Sequence, residues 1–457
     1  MTSISQKQIL EGPIVKTLFA LGWPIMVSSL LETMYTLVDA FWLGKLGQTE
    51  SKNAVAALQV SWPIIFLLIS IAIGFGLAGV ALVSQYTGAQ NKTEADKSAG
   101  QVISINLIFG LVVGVLGFWV SPFIVNLMHI EHAISDLAAL YMRIIFIGLP
   151  FMFAMFGFAS ILRAFGDTLT PMKIEGSTVL LNMVFDPIFI FGLFGIPKLG
   201  VLGAALTTIS CQAIAAFIAL YLLFSGKSGL RIELSYLKPV REKMLKIFRI
   251  GLPASMGQSG TAFGFVIIIY VIARLPNQGV ALAAYGIGDR IINLMFIAIN
   301  GLGVGVSTVL GQSLGADKIS RAEEAAHKGM AIMFFILVGG CLILFLLRKQ
   351  VMGFFIDDEE VIAEGANFLK IFLFGVPFFG IFSAVTASFA GSGHNVPTMV
   401  LELSRLWLLR VPLAYLFGIA LGWNSAGIWF GMGLSNVVGA LIALALFRTG
   451  IWKKKVI

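Results

Sequence analysis

The chain has 457 residues, of which 58% are apolar and 12% charged, with a formal net charge of +8. Ordinary globular domains run at roughly 45–50% apolar and 25% charged, so this composition excludes a soluble fold. The basic excess is spread over short loops rather than gathered into one patch, which points to membrane orientation and away from a nucleic-acid partner.

Hydrophobic stretches of about 20 residues or more, enough to cross a hydrocarbon core, recur along the whole chain. Twelve are expected, at 14–43, 54–86, 101–127, 138–164, 171–194, 200–224, 248–273, 280–312, 329–348, 361–390, 397–421 and 425–447. No short apolar core with a small-residue cleavage site opens the chain, so the first span is expected to stay in the mature protein. Pro24 lies inside that span and is expected to kink it, because proline removes a backbone hydrogen bond and crowds the preceding turn. With the N-terminus placed in the cytoplasm, about 20 of the 31 Lys and Arg fall in the tails and even-numbered loops, which predicts both termini inside. Cys211 and Cys341 lie within spans, so neither a disulfide framework nor a Cys-based metal site is expected. The 50 glycines suit close contact between membrane helices.

The spans form two copies of one unit. A shift of 227 carries Gly74, Gly76, Gln85, Gly88 and Ala89 onto Gly301, Gly303, Gln312, Gly315 and Ala316. The same shift carries Gly148, Pro150, Phe151 and Gly166 onto Gly375, Pro377, Phe378 and Gly393. A period held that far predicts an all-α polytopic membrane protein of two pseudo-symmetric six-helix bundles. The lobes are expected at 1–224 and 247–457, with 225–246, the only long polar loop, as a cytoplasmic linker. Because each copy has an even number of spans, the repeats run parallel, an arrangement suited to alternating access.

The repeat also sorts the charges. Glu175 matches Glu402, Ser177 matches Ser404, and Arg143 matches Lys370 in kind, so these are expected to anchor helix ends or lobe contacts. Asp39 falls on Val266 or Ile268, Asp186 on Leu413, and Glu32 on Ser259 or Thr261; these acids have no counterpart. At about 1.5 Å per residue, Asp39 and Asp186 both fall in the outer half of the membrane. Glu32, Tyr35 and Asp39 share one stripe of the first span, and Glu32 sits deeper by about 10 Å. Asn182 precedes Asp186 by one turn on the fifth span. Thr207 and Thr208 on the sixth reach a similar level. Two carboxylates, an amide and a hydroxyl suit a hard cation such as Na+, or a shared proton; a soft metal would call for Cys or several His. Intramembrane acids are costly and by default functional.

Gly286, Ile287, Gly288 and Asp289 spell the Gly-x-Gly-Asp pattern of intramembrane aspartyl proteases. No Pro-Ala-Leu element accompanies it, and the adjacent Arg290 is expected to hold Asp289 ionised, the wrong state for a shared-proton dyad. A non-enzyme is expected, with a structural ion pair or gate at this position.

The chain resembles the multidrug and toxic compound extrusion family, in its prokaryotic DinF-type branch. The resemblance rests on Glu11-Gly12-Pro13-Ile14 leading to Gly22-Trp23-Pro24, on Val38-Asp39 before Trp42-Leu43-Gly44, and on Asn182 with Asp186-Pro187. It also rests on Gly203-Ala204-Ala205 before Thr207-Thr208, and on Ala283-Ala284-Tyr285-Gly286 leading to Gly311-Gln312. It implies a V-shaped pair of six-helix lobes in the plasma membrane, exporting cationic or amphipathic compounds against H+ or Na+, with no cofactor and as a monomer. By motif match it places Asp39, Asn182, Asp186 and Thr208 at the ion site, holding Na+ if sodium is the coupling ion. Glu32, Tyr35, Asn182 and Thr208 would then line the drug cleft, and Pro24 would bend the first helix. Other branches carry acids on helices seven and ten; here helix seven has none and helix ten only Glu364. A lipid-linked precursor flippase of the same superfamily is the alternative, and it would call for extra spans or a strongly cationic central cleft.

Overall fold

The computed structural model describes residues 4–46, 48–128 and 131–457, and no strand occurs among them. Its α-helices are α1 (Gln6–Glu11), α2 (Ile14–Gly44), α3 (Gln48–Gly88), α4 (Lys92–Asn126), α5 (His132–Phe165), α6 (Leu169–Phe191) and α7 (Val201–Ser225). The second copy contributes α8 (Arg241–Ile272), α9 (Gln278–Gly315), α10 (Ile319–Phe355), α11 (Glu359–Phe372), α12 (Val376–Ser392), α13 (Asn395–Leu403), α14 (Val411–Tyr415) and α15 (Asn424–Arg448). Among the described residues, eleven continuous helical stretches are long and apolar enough to cross a membrane, and α11 with α12, bent by 54°, makes a twelfth when the pair is taken as one span. The tenth span, expected as continuous over 361–390, is therefore broken between Phe372 and Val376. Pro377, at the start of α12, has no N–H to extend the α11 ladder. By contrast α2 runs unbroken through Pro24.

The repeat is written into the backbone. Gly166 and Gly393, 227 apart, both end helices in the left-handed conformation, at φ 103° and 83°. Gln90 and Asp317, also 227 apart, share the left-handed turn before α4 and α10, at φ 57° and 60°.

By contacts the chain forms two compact units: Val27–Gly79 with Asn91–Gly251, and Ile4–Met26 with Val80–Gln90 and Leu252–Ile457. The boundaries fall inside α2, α3 and α8. In the first unit, α8 begins against α3, where a Cβ on Gly251 would stand 3.1 Å from the Gly74 carbonyl oxygen. The stretch 225–246 is docked on α4 of the same unit. Gln101 donates to the carbonyls of Tyr236 (2.6 Å) and Lys238 (2.8 Å) and accepts from the Val240 N–H at 2.8 Å. Lys243 pairs with Glu94 at 2.6 Å.

The second unit mirrors this plan. Gly22 of α2 meets Gly301 of α9, and Arg321 of α10 donates to the carbonyls of Ile9 and Gly12 at 2.6–2.8 Å. Within it α3 and α9 cross reciprocally: a Cβ on Gly88 would stand 2.0 Å from the Gln312 carbonyl oxygen, and one on Gly315 2.0 Å from that of Gln85. Only glycine admits such an approach, and the reciprocity is that of an isologous pair. The core of this unit is one large cluster that includes Leu18, Leu302, Val306, Phe382, Phe389 and Trp429.

Candidate functional site

The first unit gathers the unmatched acids. Asp167 sets the start of α6, its Oδ1 accepting from the Leu169 and Thr170 N–H groups at 3.1 and 3.0 Å. Further along, α6 and α7 touch backbone to backbone, since a Cβ on Gly203 would lie 2.6 Å from the Phe189 carbonyl oxygen. One turn beyond Gly203 stands Thr207, so this contact brings the threonine beside Asp186. Asn182 Nδ2 donates to Asp186 Oδ1 at 3.1 Å along α6. From α2, Asp39 brings its carboxyl beside Asp186 and Asn182.

These groups are inside the protein, with Asn182 and Asp186 0% exposed, Thr207 1% and Asp39 6%. Five buried oxygens here have no hydrogen-bond partner among the described residues: Tyr35 Oη, Asp39 Oδ1, Asn182 Oδ1, Asp186 Oδ2 and Thr208 Oγ1. Leaving a buried polar atom unpaired costs about 1–3 kcal/mol. Three of the five, on Asp39, Asn182 and Asp186, accept, and the Tyr35 and Thr208 hydroxyls accept as well as donate; the set fits the oxygens that a proton or a hard cation takes.

Of the two adjacent threonines, Thr207 lies beside Asp186 and Thr208 beside Tyr35. Both adjacent threonines serve the cluster because Tyr35 and Asp186 lie on different helices. Two further residues join it: Tyr141 of α5, buried and within electrostatic range of both aspartates, and Cys211, one turn past Thr207. Tyr141 carried a signal in the repeat, for it stands where the second copy has Phe368, so its hydroxyl has no counterpart.

Glu32 lies apart from this cluster, exposed on α2 within electrostatic range of Glu175 and Arg163. Arg163 and Glu175 pair at 3.4 Å, half-buried. Glu175 is thus both an anchoring partner and a neighbour of Glu32, a proximity that its duplication at Glu402 conceals.

The Gly-x-Gly-Asp stretch is built for packing. A Cβ on Gly288 would meet the Phe368 ring at 2.4 Å. Asp289 accepts from Asn293 at 2.8 Å, and the expected pair with Arg290 is absent among the described residues. Successive helical positions point about 100° apart, and Arg290 turns outward; the arginine that Asp289 senses is Arg410. Glu364 is occupied by the Trp429 indole, which donates at 2.7 Å.

Comparison with known proteins agrees with this architecture. The MatE family model matches twice, at residues 24–188 and 253–416, which together make up more than half of the chain. The two matches begin 229 residues apart, close to the 227 of the internal repeat. The "Probable multidrug resistance protein YoeA" of Bacillus subtilis (strain 168) is 28% identical, over 94% of this chain and 93% of its own. A solved MATE in a straight conformation is similar with a TM-score of 0.89 and 25% identity, covering 98% of this chain and 99% of its own. A transporter of the MOP superfamily from Pyrococcus furiosus, described as having a binding pocket of reversed polarity, gives 0.88 and 25%, with both chains covered in full. On two matched repeats within a twelve-span helical fold, the chain belongs to the MatE family of multidrug and toxic compound extrusion transporters.

Proposed function

We propose that this protein exports cationic or amphipathic compounds across the plasma membrane by antiport against H+ or Na+, in the manner of the DinF-type branch. The observation that carries the reading is the set of five unpartnered buried oxygens around Asp39 and Asp186. A proton or Na+ satisfies them, and it is cargo rather than a resident cofactor. The two carboxylates give the cluster a negative sign, so it favours a cation over an anion. Glu32, exposed on the same helix as Asp39, gives the neighbouring cleft the same negative sign and suits a cationic compound.

In this reading Asp39, Asn182, Asp186 and the threonines hold the ion, while Glu32 and Tyr35 meet the drug. Ion and drug favour different conformations because each binds one state better than the other, and alternating access follows from that difference. Pro24 supplies the place where α2 bends. The termini lie on the cytoplasmic side, the transporter works as a monomer, and multidrug resistance, named for its Bacillus relative, is the expected phenotype.

The test is efflux from proteoliposomes under separately imposed Na+ and H+ gradients. Asp39→Asn and Asp186→Asn are expected to abolish gradient-driven efflux, with Glu175→Gln as the control. Unchanged transport by both aspartate variants would remove the site assignment.

A further inference from the structure

The second unit holds a buried arginine pair that the export reading does not use. Arg405 and Arg410 lie on the π-helical stretch Ser404–Arg410, between α13 and α14. Hydrogen bonds from i to i+5 place residues five apart one above the other, and such turns recur at functional sites. In a regular α-helix, residues five apart would point about 140° from each other. The π-turn thus brings two guanidinium groups to one face, 6% and 5% exposed. Both reach the same atom: Arg405 Nη1 donates to Asn436 Oδ1 at 3.2 Å and Arg410 Nη2 at 2.8 Å. Asn436 lies midway along the 25 residues of α15, so the pair sits near the middle of its span.

Several features distinguish this pair from a structural brace. Each guanidinium carries five N–H donors, yet Arg405 spends one and Arg410 two, the second on Ser435 Oγ at 3.2 Å. Arg405 Nε and Asn436 Nδ2 are buried with no partner. Neither arginine forms an ion pair within 4.0 Å among the described residues. The nearby acids, Glu402 for Arg405 and Asp289 for Arg410, lie within electrostatic range but make no direct contact with the N–H edges, and Asp289 accepts from Asn293 instead. Aromatic rings cover the guanidinium faces: Phe379 and Phe382 lie 5.0 and 4.9 Å from Arg405, and Phe372 lies 5.8 Å from Arg410. The rings offer no hydrogen-bond acceptor of their own, so the unused N–H groups remain for a polar partner.

The geometry points to a binding site for a small monovalent inorganic anion, held by Arg405, Arg410 and Asn436 Nδ2 inside the second unit. Unpaired buried charge is strongly destabilising, and an anion on the N–H edges offsets it. Guanidinium is weakly hydrated, so it favours a weakly hydrated anion, bromide over fluoride. The enclosed, ring-floored position selects a single ion over an organic acid.

The full-length protein in detergent provides the test, with sodium bromide replacing sodium gluconate at constant Na+ and ionic strength. Thermal unfolding is read out, since a ligand that binds the native state raises the midpoint saturably. The wild type is expected to show a saturable rise in bromide, smaller in fluoride, and Arg405→Gln is expected to lose it. Asn436→Asp places a carboxylate in the cage; it should unfold at a high midpoint in gluconate and ignore bromide. That variant decides the matter even if Arg405→Gln does not fold. A wild-type midpoint equal in bromide and gluconate would overturn the site. So would a non-saturating rise shared by Asn436→Asp, which is a general salt effect. The readout is binding, so either result leaves the export reading untouched.

Discussion

Asn182→Ala separates an ion site from a merely polar core. The Asn182 side chain is fully buried, donates to Asp186 at 3.1 Å, and leaves its own Oδ1 free. Truncation removes one hydrogen bond to a carboxylate, worth about 1.5–3 kcal/mol, and one of the five free oxygens. At about 1.4 kcal/mol per decade, the coupling-ion concentration for half-maximal efflux should rise about 10- to 150-fold. The measurement is efflux of a cationic dye from proteoliposomes at graded external Na+ and, separately, graded pH. The control is Thr178→Ala, one turn earlier on α6, whose hydroxyl bonds only to the carbonyls of Ile174 and Glu175 in its own helix. A shift under about threefold in Asn182→Ala, or an equal shift in the control, would refute the reasoning, because even the lower figure of about 1.5 kcal/mol corresponds to about tenfold.

The remaining expectations concern the frame around that site. Thr208→Val removes an unpartnered buried oxygen; it should weaken ion dependence several-fold while the unfolding midpoint holds or rises, since an apolar isostere carries no desolvation penalty. A midpoint that falls would mean that the hydroxyl is structurally bonded. Gly315→Ala forces a Cβ to 2.0 Å from the Gln85 carbonyl oxygen, whereas Gly286→Ala meets nothing within 4 Å. The first should cost at least about 1–3 kcal/mol and lower the midpoint, the second should not, and size-exclusion after a heat step reports both. Gln101→Ala deletes three bonds that hold 236–240 on α4, at about 1 kcal/mol each. Trypsin should then cut after Arg241 several-fold faster, and an unchanged rate would show that the remaining contacts, Lys243 with Glu94 and Ser104 with the Leu237 carbonyl, secure the segment without Gln101.

Much of the fold is legible in the sequence because a bilayer enforces it: length and hydropathy alone mark the spans. What stays hidden depends on tertiary packing. Pro150 and Pro377 occupy the same place in the two copies, yet α5 runs through the first while the tenth span bends by 54° before the second. The difference lies in the neighbours, for a Cβ on Gly375 would stand 2.1 Å from the Gly433 carbonyl oxygen of α15. No local pattern reports that contact. Likewise 225–246 reads as a free linker by composition, and only distant residues of α4, Glu94, Asp96, Gln101 and Ser104, reveal that it is docked. Of the candidate site, the acids are legible because they lack counterparts. Which partner each of Thr207 and Thr208 meets is not, since adjacent threonines on a helix differ only in the direction they face. By the criterion of the missing counterpart, Arg405 and Arg410 also stand out, at the places of Thr178 and Met183.

That last comparison bears on how a duplicated fold divides its work. Helix α6 and the stretch 395–420 are equivalent by the repeat, yet the first carries Asn182 and Asp186 and the second carries Arg405 and Arg410. One is a regular helix; the other passes through π-turns at Ser404–Arg410 and Leu416–Ala420. Each is pinned to the helix that follows by glycines at backbone contact, Gly203 against Phe189 and Gly431 against Leu413. The glycine contacts are the common scaffold, and they permit polar side chains at the same depth in both copies. Charge of opposite sign then makes the two places incompatible with one ligand: free oxygens in the first copy call for a cation, free N–H groups in the second for an anion. If both inferences hold, Asp186→Asn alters cation dependence without changing the bromide response, and Asn436→Asp does the reverse. Cross-sensitivity in either variant would instead mean that the two clusters titrate as one.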